Sequence, residues 1–131
     1  MHPFDHPAVA RLITLTLEED IGRGDATTLA TIPPHQAARG KITAKADITI
    51  AGLPLIPMVL QQVDHSAGLR LLVKEGDRVS QGEVVVELSG AAAGLLTAER
   101  TLLNFLQHLS GVATLTRQFV EAVAATQCAI I

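Results

Sequence analysis

Apolar positions recur at helical spacing from the start of the chain. Val9, Leu12, Ile13 and Leu17 fall on one face and predict a helix from Pro7 to Asp20. Asp5 or His6 can cap it, and Pro7 suits its first turn. Gly22-Arg23-Gly24-Asp25 reads as its end, followed by Thr27, Thr28 and a Pro33-Pro34 loop. The period then changes to two. Arg39, Lys41, Thr43 and Lys45 alternate with Gly40, Ile42, Ala44 and Ala46, the pattern of a half-buried strand with a cationic outer face. Asp47 interrupts it, Ile48 to Ala51 continues as a short strand, and Gly52-Leu53-Pro54 turns into a helix from Pro54 to Val63. Leu69 to Val73, Arg78-Val79 and Glu83 to Leu88 read as strands, separated by the turns Lys74-Glu75-Gly76-Asp77 and Ser80-Gln81-Gly82. Ala91 to Ala125 is helical with an interruption near Gly111, and Cys128 to Ile131 reads as the start of a strand. A chain that stops on Ile-Ile looks cut rather than finished.

These elements predict an α+β domain: small antiparallel strands in the middle, helices at both ends. The length of 131 residues fits one domain. With three Phe, no Trp and no Tyr, its core has to be built from Leu, Val, Ile and Ala. A net charge of −3 and the lack of a basic run argue against nucleic acid, which needs a phosphate-neutralising patch and, for single strands, stacking aromatics. No apolar run approaches a membrane span. Met1 to Asp5 has neither the basic nor the apolar region of a signal peptide, and a lone Cys128 fits a reducing compartment. The expected setting is cytoplasmic.

Few motifs carry chemistry. The run from Val73 to Val85, with Gly76 and Gly82 at turns, is similar to half of a lipoyl or biotinyl carrier barrel. A carrier displays a lysine on a hairpin tip, however, and Ser89 to Ala93 has none. Glu19, Asp20 and Asp25 could be read as a metal site, since hard cations take clustered carboxylates. They also read as a helix end, with Asp25 bonding the backbone near Thr27 or Thr28. The histidines lack ligand spacing, and no nucleophile elbow, phosphate loop or dinucleotide fingerprint occurs.

What remains is Glu99-Arg100. Leu95, Leu96, Ala98, Leu102, Leu103, Phe105, Leu106 and Leu109 surround this pair and predict a helix covered on several sides. A buried arginine needs a partner. Glu99, Glu121, another acid or an anionic ligand could each fill that role, because the guanidinium fork suits carboxylates and phosphates.

The segment Glu99-Arg100-Thr101-Leu102-Leu103-Asn104, with Leu109 to Thr114, resembles the signature helix of the quinolinate phosphoribosyltransferase family. Glu19 to Thr28, Ala51-Gly52-Leu53-Pro54 and Gly76-Asp77-Arg78-Val79 to Gly82 agree in the same order. The resemblance implies the family's N-terminal domain, an α/β sandwich with a small antiparallel barrel-like sheet and flanking helices, over residues 1–131. It implies a C-terminal α/β barrel catalytic domain absent from this chain, a homodimer partner, quinolinate and phosphoribosyl pyrophosphate as substrates, and Mg²⁺ in the full-length enzyme, with no cofactor or metal held by this domain. It carries over one substrate-binding residue, Arg100, reaching into the partner subunit's site, with Glu99 as weaker support and no catalytic residue. The molybdenum-associated relative of the family is the nearest alternative, followed by a non-catalytic carrier or a module that dimerises through Ala91 to Ala125.

Overall fold

The computed structural model describes residues 2–131, side chains 23–30 excepted. After a short turn at Pro3–Asp5, the order is α1 (Pro7–Thr31), β1 (Ala37–Thr43), β2 (Ile48–Thr49), α2 (Leu55–Val63), β3 (Gly68–Leu71), β4 (Arg78–Val79), β5 (Val84–Ala91) and α3 (Ala92–Val123). Two small antiparallel sheets form, one in the order β1-β5-β3 and the other pairing β2 with β4. Ala44 links them, donating its N–H to Glu83 and accepting from Gly82. This gives an α+β arrangement of small antiparallel sheets with flanking helices, as the resemblance implies.

The alternation of β1 holds as far as Ile42. Ala38, Gly40 and Ile42 are half-buried, while Arg39 and Lys41 are exposed. A register shift between Ile42 and Thr43 ends the simple alternation there. Beneath the sheets lies an aliphatic core, with Ile13 and Leu17 from α1, Ile56 and Val59 from α2, Val85 and Val86 from β5, and Ala98, Leu102 and Leu106 from α3. Burying one such side chain is worth about 1.5–3 kcal/mol, so this face of α3 is fixed mainly by packing.

Most strand ends shift by one to three residues, and three larger departures from expectation stand out. α1 runs to Thr31 rather than ending at Gly22. A glycine in a helix costs only about 1 kcal/mol, and the first obligatory breakers are Pro33 and Pro34. The expected Asp25 contact lies outside the described side chains. α3 passes through Gly111 without interruption, because the residues on either side of this exposed glycine anchor the helix, as described below. Cys128 to Ile131 is exposed and not a strand, and among the described residues no strand pairs with it.

α3 starts without a side-chain cap of its own at Ala91. The Asp64 carboxylate, from the loop after α2, lies against its first turn beside Gly94. Negative charge at this N-terminal end complements the positive end of the helix dipole. The Ser66 hydroxyl and backbone N–H, followed by the Ala91 backbone and the charge of His65, hold the Asp64 carboxyl below its ordinary value of 3.8 against a smaller opposing effect of burial.

Candidate functional site

The C-terminal half of α3 is tied to the β2 segment through hydroxyls. Thr114 Oγ1 accepts from the Thr49 N–H at 2.9 Å, and Ser110 Oγ accepts from the Ala51 N–H at 3.0 Å. Thr114 Oγ1 also donates to the Ser110 carbonyl at 2.6 Å. Between these two points, Ile50 pairs with the turn at Gly76 and Asp77. One edge of this short strand is therefore satisfied by helix side chains. The adjoining turn is held the same way: the Glu75 carboxylate accepts from the N–H groups of Gly52 at 2.8 Å and Leu53 at 2.9 Å. Gly52 has φ 101°, and a Cβ there would stand 3.0 Å from the Leu109 side chain. Only glycine combines that backbone with that approach.

A second tie lies further towards the start of α3. Thr101 is fully buried, and its hydroxyl donates to Asp20 Oδ2 on α1 at 2.6 Å. Asp20 and Thr101 come from two of the sequence motifs, Glu19-Asp20 and Glu99-Arg100-Thr101, and this bond brings them together. Asp20 is thus engaged with a hydroxyl, and among the described residues no three His, Cys, Asp or Glu side chains are grouped to hold a metal.

Packing and these ties fix the rotation of α3. Ala98, Thr101, Leu102, Leu106 and Ser110 point inward. Leu96, Arg100, Asn104 and Gln107 consequently share the outer face, at positions four, four and three apart. With Glu99 and Leu103 they line an open depression of about 440 Å³. It adjoins an apolar groove of about 370 Å³ between α3 and β1, floored by Gly40 and Leu88 and flanked by Leu95, Leu102 and Leu103. Glu99 lines both.

The expectation that Arg100 is buried and paired is therefore corrected. Arg100 and Glu99 are both exposed, and among the described residues Arg100 has no ion pair or hydrogen bond. Glu121 pairs with Arg78 instead. The apolar residues around Arg100 suggested cover on all sides, yet Leu96 is 46% exposed and Leu103 only half-buried. Sequence reasoning also missed Asn104 and Gln107 as neighbours of Arg100, and the roles of Thr101, Ser110 and Thr114. The available signal was three small hydroxyl residues at core-facing positions of an otherwise aliphatic helix.

Comparison with known proteins agrees with this architecture. Residues 25–110 match the family described as "Quinolinate phosphoribosyl transferase, N-terminal domain". The chloroplastic nicotinate-nucleotide pyrophosphorylase [carboxylating] of Arabidopsis thaliana is 40% identical over 92% of this chain and 35% of its own length. A probable enzyme of the same name from Synechocystis is 42% identical over 82% of this chain and 36% of its own. Among solved structures, NadC from Streptococcus pyogenes superposes with a TM-score of 0.84 at 35% identity, covering 95% of this chain and 44% of that one. The nicotinate-nucleotide pyrophosphorylase from Francisella tularensis gives 0.82 at 30% identity, with 88% and 41% covered. The chain spans about a third of the length of the curated relatives it matches.

Proposed function

This chain belongs to the quinolinate phosphoribosyl transferase family, in the part described as its N-terminal domain, and from that membership we propose that it serves an enzyme converting quinolinate and phosphoribosyl pyrophosphate to nicotinate mononucleotide, CO₂ and pyrophosphate. Its part in that reaction is to present Arg100 to the active site of a partner subunit in a homodimer. The observation that carries this reading is the exposed guanidinium of Arg100, unpaired among the described residues and standing on a helix face with Asn104 and Gln107.

Quinolinate is a dianion. A guanidinium fork can hold one of its carboxylates in two hydrogen bonds and fix the orientation of the ring. The pyridine nitrogen then attacks the anomeric carbon, pyrophosphate leaves with the bonding electrons, and decarboxylation follows. Arg100 contributes positioning and charge balance once the substrate carboxylate engages its guanidinium. The Thr101–Asp20 and Ser110–Ala51 ties hold the helix that carries it. Glu99 lies beside Arg100 at the mouth of the apolar groove and gives weaker support, biasing where the guanidinium rests.

The residues that grip phosphoribosyl pyrophosphate, and any that bind Mg²⁺, belong on this reading to the C-terminal barrel and not to this chain. A cytoplasmic setting is proposed from the single exposed Cys128, which suits a reducing compartment. Among the described residues no helix is long and apolar enough to cross a membrane. The plant relatives carry chloroplastic and mitochondrial names.

The test is product formation. The 131-residue chain, given quinolinate, phosphoribosyl pyrophosphate and Mg²⁺, forms no nicotinate mononucleotide. The same chain joined to the C-terminal two thirds of a curated relative forms it. Turnover by the chain alone, or an inert, folded fusion, would contradict the proposal.

A further inference from the structure

The sheet face turned away from α3 has a different character from the groove. Antiparallel register places Lys41, Glu87 and Arg70 in one row across β1, β5 and β3, and Arg39, Ser89 and Gly68 in the next. Residues directly opposite each other share a face, so three cations and one carboxylate stand together on the solvent side. Arg70 pairs with Glu87 at 3.6 Å. Among the described residues Arg39 and Lys41 form no ion pair. A cavity of about 580 Å³ lies over these rows.

Small residues keep its floor low. A Cβ at Gly68 would fall 2.4 Å from Ser89 Oγ, so any side chain there would displace the hydroxyl. The Ser89 hydroxyl has no hydrogen-bond partner among the described residues and remains available.

We propose that this face, through Arg39, Lys41 and Arg70 with the Ser89 hydroxyl, is a binding site for a phosphate-bearing anion with two charged centres, such as a diphosphate. The spacing favours this class. Strands lie about 4.8 Å apart and residues two apart along a strand about 7 Å, so the backbone positions of Arg39 and Lys41 are about 7 Å apart, those of Lys41 and Arg70 about 10 Å, and those of Arg39 and Arg70 about 12 Å. A ligand with two anionic groups meets all three cations at once, one group at Arg39 and Lys41 and the other at Arg70, whereas a single phosphate engages fewer of them. Glu87 holds Arg70 in place and weakens the site by its own charge. This site lies across the sheet from Arg100 and does not depend on the activity proposed above.

Calorimetric titration of the 131-residue chain with inorganic pyrophosphate, and separately with orthophosphate, tests it at low ionic strength. Pyrophosphate binds saturably and more tightly than orthophosphate. The double variant Arg39→Ala/Lys41→Ala weakens binding at least about fivefold and Arg70→Ala about threefold, as expected for exposed charge-assisted contacts. Glu87→Gln tightens it about twofold to threefold. Arg11→Ala removes the same single charge as Arg70→Ala, but from the exposed surface of α1, and changes affinity less than twofold. All these positions except half-buried Glu87 are exposed, and unchanged far-UV circular dichroism confirms that each variant folds. No saturable heat at millimolar pyrophosphate overturns the proposal. So does a loss in Arg11→Ala equal to that in the sheet variants, since diffuse attraction would then explain the binding.

Discussion

Replacing Thr101 with Val is the sharpest test of how α3 is held. The side chain is fully buried, and valine has nearly the same shape, so the exchange leaves no cavity. What disappears is the 2.6 Å bond to Asp20 Oδ2. A hydrogen bond to a charged group contributes about 1.5–3 kcal/mol. Asp20 is only half-buried and water can replace part of the loss, which reduces the expected cost to about 1–2 kcal/mol. For a domain of this size that corresponds to a fall of about 3–8 °C in Tm. Thr101→Ser retains the hydroxyl and recovers most of the difference. Urea unfolding of the parent, both variants, Asp20→Asn and the Asp20→Asn/Thr101→Val double variant gives the coupling by a double-mutant cycle. If Thr101→Val is as stable as the parent, or the two losses simply add, the bond does not hold α3 to α1.

Two further predictions follow from the same structure. Asp64 has a folded-state pKa below 3.8, so its contribution to stability is present above that value and lost as pH falls through the folded-state pKa. Asp64→Asn therefore lowers the urea midpoint at pH 7, and the gap to the parent narrows below pH 3.8. A gap that stays constant into strong acid would remove the charge of Asp64 from the account. Val112, Leu115 and Phe119 form an exposed apolar row on α3, each more than half exposed. The isolated chain associates through this row as concentration rises, and Leu115→Glu/Phe119→Glu shifts light scattering towards the monomer. A parent that stays monomeric at high concentration contradicts this.

Features with a local cause were legible in the sequence. The alternation read from Arg39 to Ala46 became β1 as far as Thr43, and the aliphatic periodicity of Leu102, Leu106 and Leu109 became the packed side of α3. Features with a distant cause were not. Gly111 reads as a break because glycine weakens a helix locally. The helix continues because Ser110 and Thr114 are anchored on residues 49 to 51, about 60 positions away in sequence. The partner of Thr101 lies 81 residues away, so no spacing rule could reveal it. Arg100 was misjudged for a related reason. Leucines at 96 and 103 imply burial only if something covers them, and here that face is open. The family motif located the arginine, while its exposure and its neighbours Asn104 and Gln107 required the fold.

The central claim is that Arg100 works on the quinolinate of a partner subunit. Its direct test is steady-state kinetics of Arg100→Ala in the protein formed by joining this chain to the C-terminal two thirds of a curated relative. Loss of a bidentate carboxylate contact raises the Michaelis constant for quinolinate about tenfold or more and lowers turnover, with little change in Tm because the side chain is exposed. Unchanged quinolinate kinetics in a folded, dimeric variant would contradict the account.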